Sequence, residues 1–464
     1  MIALFRLLIF SVIVARFLSG CEREDFDPSD NVRLKVSTDS ILFDTVFTQR
    51  STITKRFKIF NPAGRAILID EIKLEDRANG VYRLNVDGNP VNKAAPLRNY
   101  RIGANDSLFV FVEATADSTG EAQPFVITDH VNIQNGTHQL SVTLESWGQN
   151  AYYHDNDSIT QNTTWGADLP HLVYGTTWVA PGASLEIEKG AEIYFHSSSF
   201  LAVLGNLRVE GSPHSRVLMR SDRLEDAYRD QAGQWQGVFL LSPSQANRIY
   251  YADIQNSVIG VRVDSLGLGP APKLDMEGTR ITNVESAALA AFTGEVDARN
   301  CEFSNGCEGA FVADLGGAYR FRHVTFANFP RRCGSITPAV RMVERNFEVP
   351  EAGIDQPLDL LAEFTNCVIA GNQPNEIVIE EMGAGRVNAQ FDHCALQTDQ
   401  RQALQTRKCL FNRDSLFADR LDGIFEPDSL SPLVAAGKPT SLNFDLEGRS
   451  RDPQNPDIGA YELP

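Results

Sequence analysis

A short segment that recurs about every 22 residues constrains this chain more than any other feature. The segments Ala252-Asp-Ile-Gln-Asn256, Thr279-Arg-Ile-Thr-Asn283, Cys301-Glu-Phe-Ser-Asn305, Val324-Thr-Phe-Ala-Asn328, Cys367-Val-Ile-Ala-Gly371 and Cys394-Ala-Leu-Gln-Thr398 begin 27, 22, 23, 43 and 27 residues apart. An earlier pair, Ser184-Leu-Glu-Ile-Glu-Lys-Gly190 and Asn206-Leu-Arg-Val-Glu-Gly211, sets Leu185 and Ile187 each 22 residues before Leu207 and Val209. In each unit the first and third residues are small or apolar and the second is mostly polar, as in a three-residue strand with two side chains on one face and one on the other. Such a strand buries little alone. Stacked in parallel about 4.8 Å apart, successive strands pair their backbones and pile their inward side chains into one core, which is the logic of a β-helix solenoid. Cys301, Cys367 and Cys394 occupy the inward first position and read as small buried hydrophobes. Asn256, Asn283, Asn305 and Asn328 fall at the following corner, where asparagine tolerates a left-handed backbone and its amide can bond the next coil.

Before residue 151 the pattern is different. Strands expected at Val32–Val36, Lys55–Phe60, Ala66–Ile69, Ser107–Val112 and Gln139–Leu144 alternate with turns such as Asn61-Pro62 and Asn89-Pro90, which predicts a β-sandwich over 32–150. The run from Phe43-Asp-Thr-Val-Phe47 through Phe57-Lys-Ile-Phe-Asn-Pro62 resembles the immunoglobulin-like domains of the cilia-protein and anchor type found in exported bacterial proteins. That resemblance implies a spacer or docking module. The solenoid is expected over 151–430. After it, Ser431-Pro-Leu-Val-Ala-Ala-Gly437, Asp445-Leu-Glu-Gly-Arg449 and Asp457-Ile-Gly-Ala-Tyr-Glu462 resemble the closing segment of bacterial right-handed parallel β-helix proteins. The resemblance implies a C-terminal cap over 431–464, which a solenoid needs to cover its last sheet edge and core. Arg449 with Asp457 or Glu462 is the charge pairing expected to lock that cap. The expected fold is therefore all-β, an Ig-like sandwich followed by a right-handed parallel β-helix.

At the other end, Met1 to Arg6 forms a short basic start and Leu7 to Phe17 an apolar run, shorter than the roughly 20 residues of a spanning helix. Leu18-Ser19-Gly20-Cys21 resembles the lipobox of bacterial lipoproteins, although Arg16 places a charge late in the apolar run. The resemblance implies a signal peptide over 1–20, cleavage before Cys21 and a lipid on that cysteine. In the tether over 21–31, Glu22-Arg-Glu-Asp-Phe-Asp27 resembles the acidic export signal of Bacteroidota surface lipoproteins. The expected location is the cell envelope, on the outer membrane and at the surface, with the membrane as a partner through the anchor. The formal charge of −18, from 42 basic and 60 acidic residues, argues against nucleic acid as a partner. The six cysteines after Cys21 all lie between Cys301 and Cys409 without zinc-like spacing, so neither a disulfide scaffold nor a metal or other cofactor is expected.

Two interruptions of the repeat, about 221–235 and 330–360, are the expected binding surfaces. The first offers Asp222, Arg223, Asp226, Arg229, Asp230 and Trp235 as a binding loop. A polysaccharide lyase needs a basic residue beside carboxylates, which these residues could supply; their spacing is equally that of a self-paired, solvated loop. The second carries Arg331, Arg332, Arg341 and Arg345 near Glu344. The Asn-Thr-Asp, Asp-Asp, Gly-His-Gly and Arg-Ile-Lys strings of polygalacturonases do not occur. His323 and His393 each precede a strand in register and read as corner packing. Asp39-Ser40, Asp44-Thr45 and similar dipeptides resemble the O-glycosylation sequon of Bacteroidota exported proteins, and are also turn openers. The function expected is non-enzymatic binding or scaffolding, with a glycan or an envelope protein as partner; the alternative is a polysaccharide lyase or glycoside hydrolase.

Overall fold

The computed structural model describes residues 32–119, 123–265, 271–330, 337–349, 354–356 and 358–463. The signal segment, Cys21 and the acidic tether lie outside the described residues, as do Arg331 and Arg332. The chain divides into two compact units between Asn150 and Ala151.

The first unit is a sandwich of two five-stranded sheets. One holds Lys35–Val36, Lys55–Phe60, Ser107–Ala114, Tyr82–Val86 and Asn89–Val91; the other holds Ser40–Phe47, His138–Gln149, Phe125–Asn135, Ile67–Leu74 and Leu97–Ile102. Alternation decides which side chains meet. Along Ser107–Ala114 every second residue is buried, and Leu108, Val110, Val112 and Ala114 enter the core between the sheets. Every pairing is antiparallel except that of Ser40–Phe47 with His138–Gln149, which is parallel.

The second unit is a parallel β-helix with lateral sheets of 11, 9 and 10 strands. Its parallel strands are joined coil by coil, the arrangement in which crossover connections take the right hand. The six aligned segments stand in the register their sequences imply: Asp253 pairs with Arg280, Arg280 with Glu302, Glu302 with Thr325, Thr325 with Val368 and Val368 with Ala395. Leu185 and Ile187 likewise lie beside Leu207 and Val209. Ala252, Thr279, Cys301, Val324, Cys367 and Cys394 are all fully buried at the inward first position. The third positions add Phe303 and Phe326, and an inward ladder of Phe321, Phe364 and Phe391 runs through successive coils with centroids 5.1 and 4.7 Å apart. Stacked pairs of this kind add about 0.5–1.5 kcal/mol each beyond their burial.

The cysteines behave as packed hydrophobes. Cys301, Cys367 and Cys394 are free thiols, and Cys394 Sγ accepts the Cys367 amide at 3.4 Å. Cys307 is the exception among the described cysteines, being disulfide-bonded. Asparagine corners are formed less regularly than the repeat suggests. Asn256, Asn283 and Asn305 have φ of 65°, 55° and 58°, but Asn328 closes the strand Thr325–Asn328. One amide contact links coils, from Asn305 to Asn283 at 3.4 Å, while Asn256 donates to the carbonyls of Arg229 and Gln231.

The 330–360 interval is not a bare loop. Val340–Glu344 is a strand of the nine-stranded sheet, in register with Gly309–Asp314 and Ile377–Glu381, so the coil is complete. Phe347–Val349 and Ile354–Gln356 form an added hairpin. Arg341 pairs with Glu380 at 3.2 Å and Arg345 with Asp314, rather than with Glu344, which accepts the amides of Gly383 and Gly385.

The closing segment departs from the expected cap. Instead of covering the last rung it runs back across the outward face of the eleven-stranded sheet. The physical reason lies in that face: Ala327, Val368, Ala370 and Ala395 point outward and are apolar, and Leu433, Leu446, Ile458 and Tyr461 cover them. Polar contacts fix the arm coil by coil. Lys438 O accepts from Asn366, Phe444 O from Asn300 and Leu446 O from Arg216, and Tyr461 donates to the buried Glu302. Arg449 pairs with Asp445 at 2.8 Å and Glu426 at 2.9 Å, not with Asp457 or Glu462. Arg451 is the partner of Glu462, at 3.1 Å. Asp457 accepts the amides of Ala435 and Leu463.

Candidate functional site

The structure does not gather the residues of the 221–235 interruption into one site. Asp222 accepts from His196 at 2.7 Å, and burial raises its carboxyl above the ordinary range. Arg223 pairs with Glu225 at 3.2 Å and lies 3.8 Å over the Tyr228 ring. Arg229 pairs with Asp226 at 2.6 Å in an exposed turn. Trp235 is wholly buried, stacked 4.0 Å from Phe195, with its indole N–H donating to Gln255 O at 2.7 Å. The sequence puts it in the expected binding loop; the ring instead turns into the core. Asp230 lines a cavity.

That cavity, about 310 Å³, lies where the loop meets two coils and the arm. Thr282, Asn283, Ser304 and Asn305 line it from the coils, Asp230 and Ala232 from the loop, and Asp422 and Gly423 from the arm. Glu302 is also in its lining, but its carboxylate is taken by Tyr461 and by Ser304, which donates at 2.8 Å. Burial holds the Glu302 carboxyl above its ordinary value.

A larger cavity, about 630 Å³, lies on the other side of Phe329 and Pro330. Ala370, within the strand Val368–Gly371, and Phe329, Gln397 and Asn412, each directly after a strand of the eleven-stranded sheet, supply one wall; residues 413–421 of the arm supply the other. Phe329 and Phe417 give an apolar floor, held by Phe425, whose ring stacks 5.9 Å from Phe329. Several polar groups there are already engaged. Gln397 bonds the backbone of Gly371 and Gln373, Asp399 accepts from Asn412 at 2.9 Å, and Asp419 accepts the amides of Leu421 and Asp422. Arg413, Asp414 and Arg420 are different: they are exposed and make no ion pair among the described residues. Arg420 lies 5.6 Å over the Phe329 ring. Its guanidinium therefore offers a planar fork beside an aromatic face, a combination suited to a carboxylate or another acidic group on a ring-bearing ligand.

The surrounding sequence carries a signal that the repeat pattern obscures. Residues 399–420 hold Arg401, Arg407, Lys408, Arg413 and Arg420 against Asp399, Asp414 and Asp419, a basic excess inside an acidic chain. Among the described residues no group of three or more His, Cys, Asp or Glu side chains is placed to hold a metal ion.

Fold and cavities together define an all-β chain with a sandwich and a parallel β-helix whose terminal arm helps to line cavities on one lateral face. No protein-family model matches it, and no curated protein is similar enough to match. Among solved structures, a family 123 glycoside hydrolase from Clostridium perfringens, described in connection with glycolipid glycan hydrolysis, is similar to 25% of this chain, at 6% identity and a TM-score of 0.18. The chain spans about a quarter of that enzyme, 26% of its length, and so slight a likeness carries no argument.

Proposed function

We propose that this chain is a lipid-anchored binding protein of the cell envelope, presenting a parallel β-helix that holds an acidic glycan in the cavity between the last coils and the terminal arm. The observation that carries this reading is the pair of exposed guanidinium groups, Arg413 and Arg420, which make no ion pair among the described residues and line a cavity floored by Phe329 and Phe417. Its volume, about 630 Å³, falls within the range of small-molecule sites. The anchor rests on Leu18-Ser19-Gly20-Cys21, and the acidic run Glu22-Arg-Glu-Asp-Phe-Asp27 supports the outer membrane as its location. Palmitate labelling of the expressed chain is expected to disappear in Cys21→Ala; label retained in that variant removes the anchor from the proposal.

Binding is tested with a panel of acidic and neutral oligosaccharides on the purified mature chain. Replacing Arg413 and Arg420 together by glutamine should weaken acidic ligands tenfold or more, because each charge-assisted hydrogen bond contributes about 1.5–3 kcal/mol. Background signal across the panel ends the binding reading. Release of reducing or unsaturated ends from any member replaces it with an enzymatic one.

A further inference from the structure

The smaller cavity, about 310 Å³, continues the line of the larger one. One outward column of the eleven-stranded sheet passes through both: Thr282 pairs with Ser304, Ser304 with Ala327 and Ala327 with Ala370. Thr282 and Ser304 line the smaller cavity and Ala370 the larger. Ser304 and Ala370 are two strand steps apart, about 10 Å at the spacing of neighbouring strands. The arm is continuous on the facing side, with residues 413–421 lining the larger cavity and Asp422 and Gly423 the smaller. A short oligosaccharide covers that span, so a unit held in one cavity leaves its neighbour beside the other.

The two ends differ in chemistry. The larger cavity carries Arg413 and Arg420. The described lining of the smaller one carries Asp230, Asp422 and Glu302 and no Lys, Arg or His, which disfavours an acidic unit there. Glu302 is already engaged by Tyr461 and Ser304. Three groups keep open hydrogen-bonding capacity. The Asp230 carboxylate and the Thr282 hydroxyl make no hydrogen bond or ion pair among the described residues, and the Asn283 amide, whose oxygen accepts from Asn305 at 3.4 Å, keeps its N–H donors.

The loop that carries Asp230 is fixed in advance. Asn256 is wholly buried and donates to the carbonyls of Arg229 and Gln231, each at 2.9 Å, which clamps the backbone on both sides of Asp230. The backbone N–H of Asn256 donates to Thr282 O at 3.2 Å and ties the clamp to the strand of Thr282 and Asn283. Such preorganisation lowers the ordering cost of binding. A carboxylate accepts two hydroxyls at once, an amide N–H donates to a third oxygen, and a threonine hydroxyl does either. That set matches the adjacent hydroxyls of an uncharged sugar ring. We propose that the smaller cavity is a second subsite, in which Asp230, Thr282 and Asn283 hold a neutral, hydroxyl-rich sugar unit next to the acidic unit of the larger cavity. The pairing of the two subsites rests on the acidic-glycan reading given above, and it narrows the ligand to a chain in which acidic and neutral units adjoin.

Ligand-observed NMR titration of the purified mature chain tests this with glucuronic acid, with neutral disaccharides, and with disaccharides joining glucuronic acid to a neutral hexose through different linkages. The best mixed disaccharide should bind about tenfold or more tighter than glucuronic acid, and Asp230→Ala should remove that gain, the loss expected for a charge-assisted hydrogen bond. Thr282→Val with Asn283→Ala should reduce the same gain. Glucuronic acid itself should change by less than about twofold in these variants and weaken when Arg413 and Arg420 are both replaced by glutamine. Asp230 is exposed and without a partner among the described residues, so its loss should leave the unfolding midpoint unchanged, and a binding defect then reports a lost ligand contact. Mixed disaccharides that bind no tighter than glucuronic acid, or a gain that survives Asp230→Ala, overturn the second subsite and leave the reading of the larger cavity intact. Glucuronic acid unbound, with neutral disaccharides bound and lost in Asp230→Ala, keeps the smaller cavity as a sugar site and ends the acidic one. No binding by any probe ends both.

Discussion

Replacing Arg451 by alanine is expected to lower stability by about 3–5 kcal/mol and to release the terminal arm, the cost typical of stranding one member of a buried ion pair. The Arg451 side chain is 1% exposed and holds four partners: Glu462 Oε2 at 3.1 Å, Asn300 Oδ1 at 3.0 Å, and the carbonyls of Gly459 and Ala460 at 3.1 and 2.9 Å. Removing it leaves the Glu462 carboxylate to the amides of Asp452 and Asp457 and leaves three neutral acceptors without this donor. Because Asn300 belongs to the coils and Glu462 to the arm, the same side chain joins the two. Urea unfolding measures the loss, and limited trypsin digestion should show faster cleavage after Arg449. A change below about 1 kcal/mol with unchanged cleavage would mean that Tyr461 and the alanine-rich sheet face hold the arm without Arg451.

Trp235→Ala should cost a comparable amount, about 3–5 kcal/mol, by emptying the space against Phe195 and leaving Gln255 O without its indole donor. Trp235→Phe keeps the stack and loses the hydrogen bond, so a loss of about 1 kcal/mol is expected. The two substitutions separate a core residue from a ligand platform. A platform residue would lose glycan binding with stability intact; a core residue loses stability first. Because a solenoid can open locally, the measurement should follow both denaturant unfolding and exchange of the neighbouring coils.

Both positions show what local pattern conveys and what it hides. The six repeat starts were legible because every coil makes the same steric demand, an apolar side chain turned inward at a fixed step, and one coil's register forces the next. The alternation of Ser107–Ala114 was legible for the same reason. Trp235 was not, because composition marks the segment as polar while one ring within it points inward, and direction is decided by Phe195 on another strand. A second left-handed corner was equally hidden. Tyr251, Gly278, Asn300, His323, Asn366, His393 and Lys408 all take positive φ, from 48° to 57°, immediately before the inward first position. Glycine and asparagine favour that backbone by themselves; Tyr251, His323, His393 and Lys408 are held in it by the pairing of the coils around them.

By itself, the sequence determined the solenoid, its register, the buried cysteines and the boundary with the sandwich, since each follows from side-chain periodicity over a few residues. Only the tertiary structure decided where the closing segment goes. Tyr461 reaches Glu302 across 159 residues and Arg451 reaches Asn300 across 151. Contacts at such separation leave no local periodicity to read. The apolar outward face that draws the arm sideways, and the cavity bearing Arg413 and Arg420 that the arm then builds, exist only once the coils are stacked.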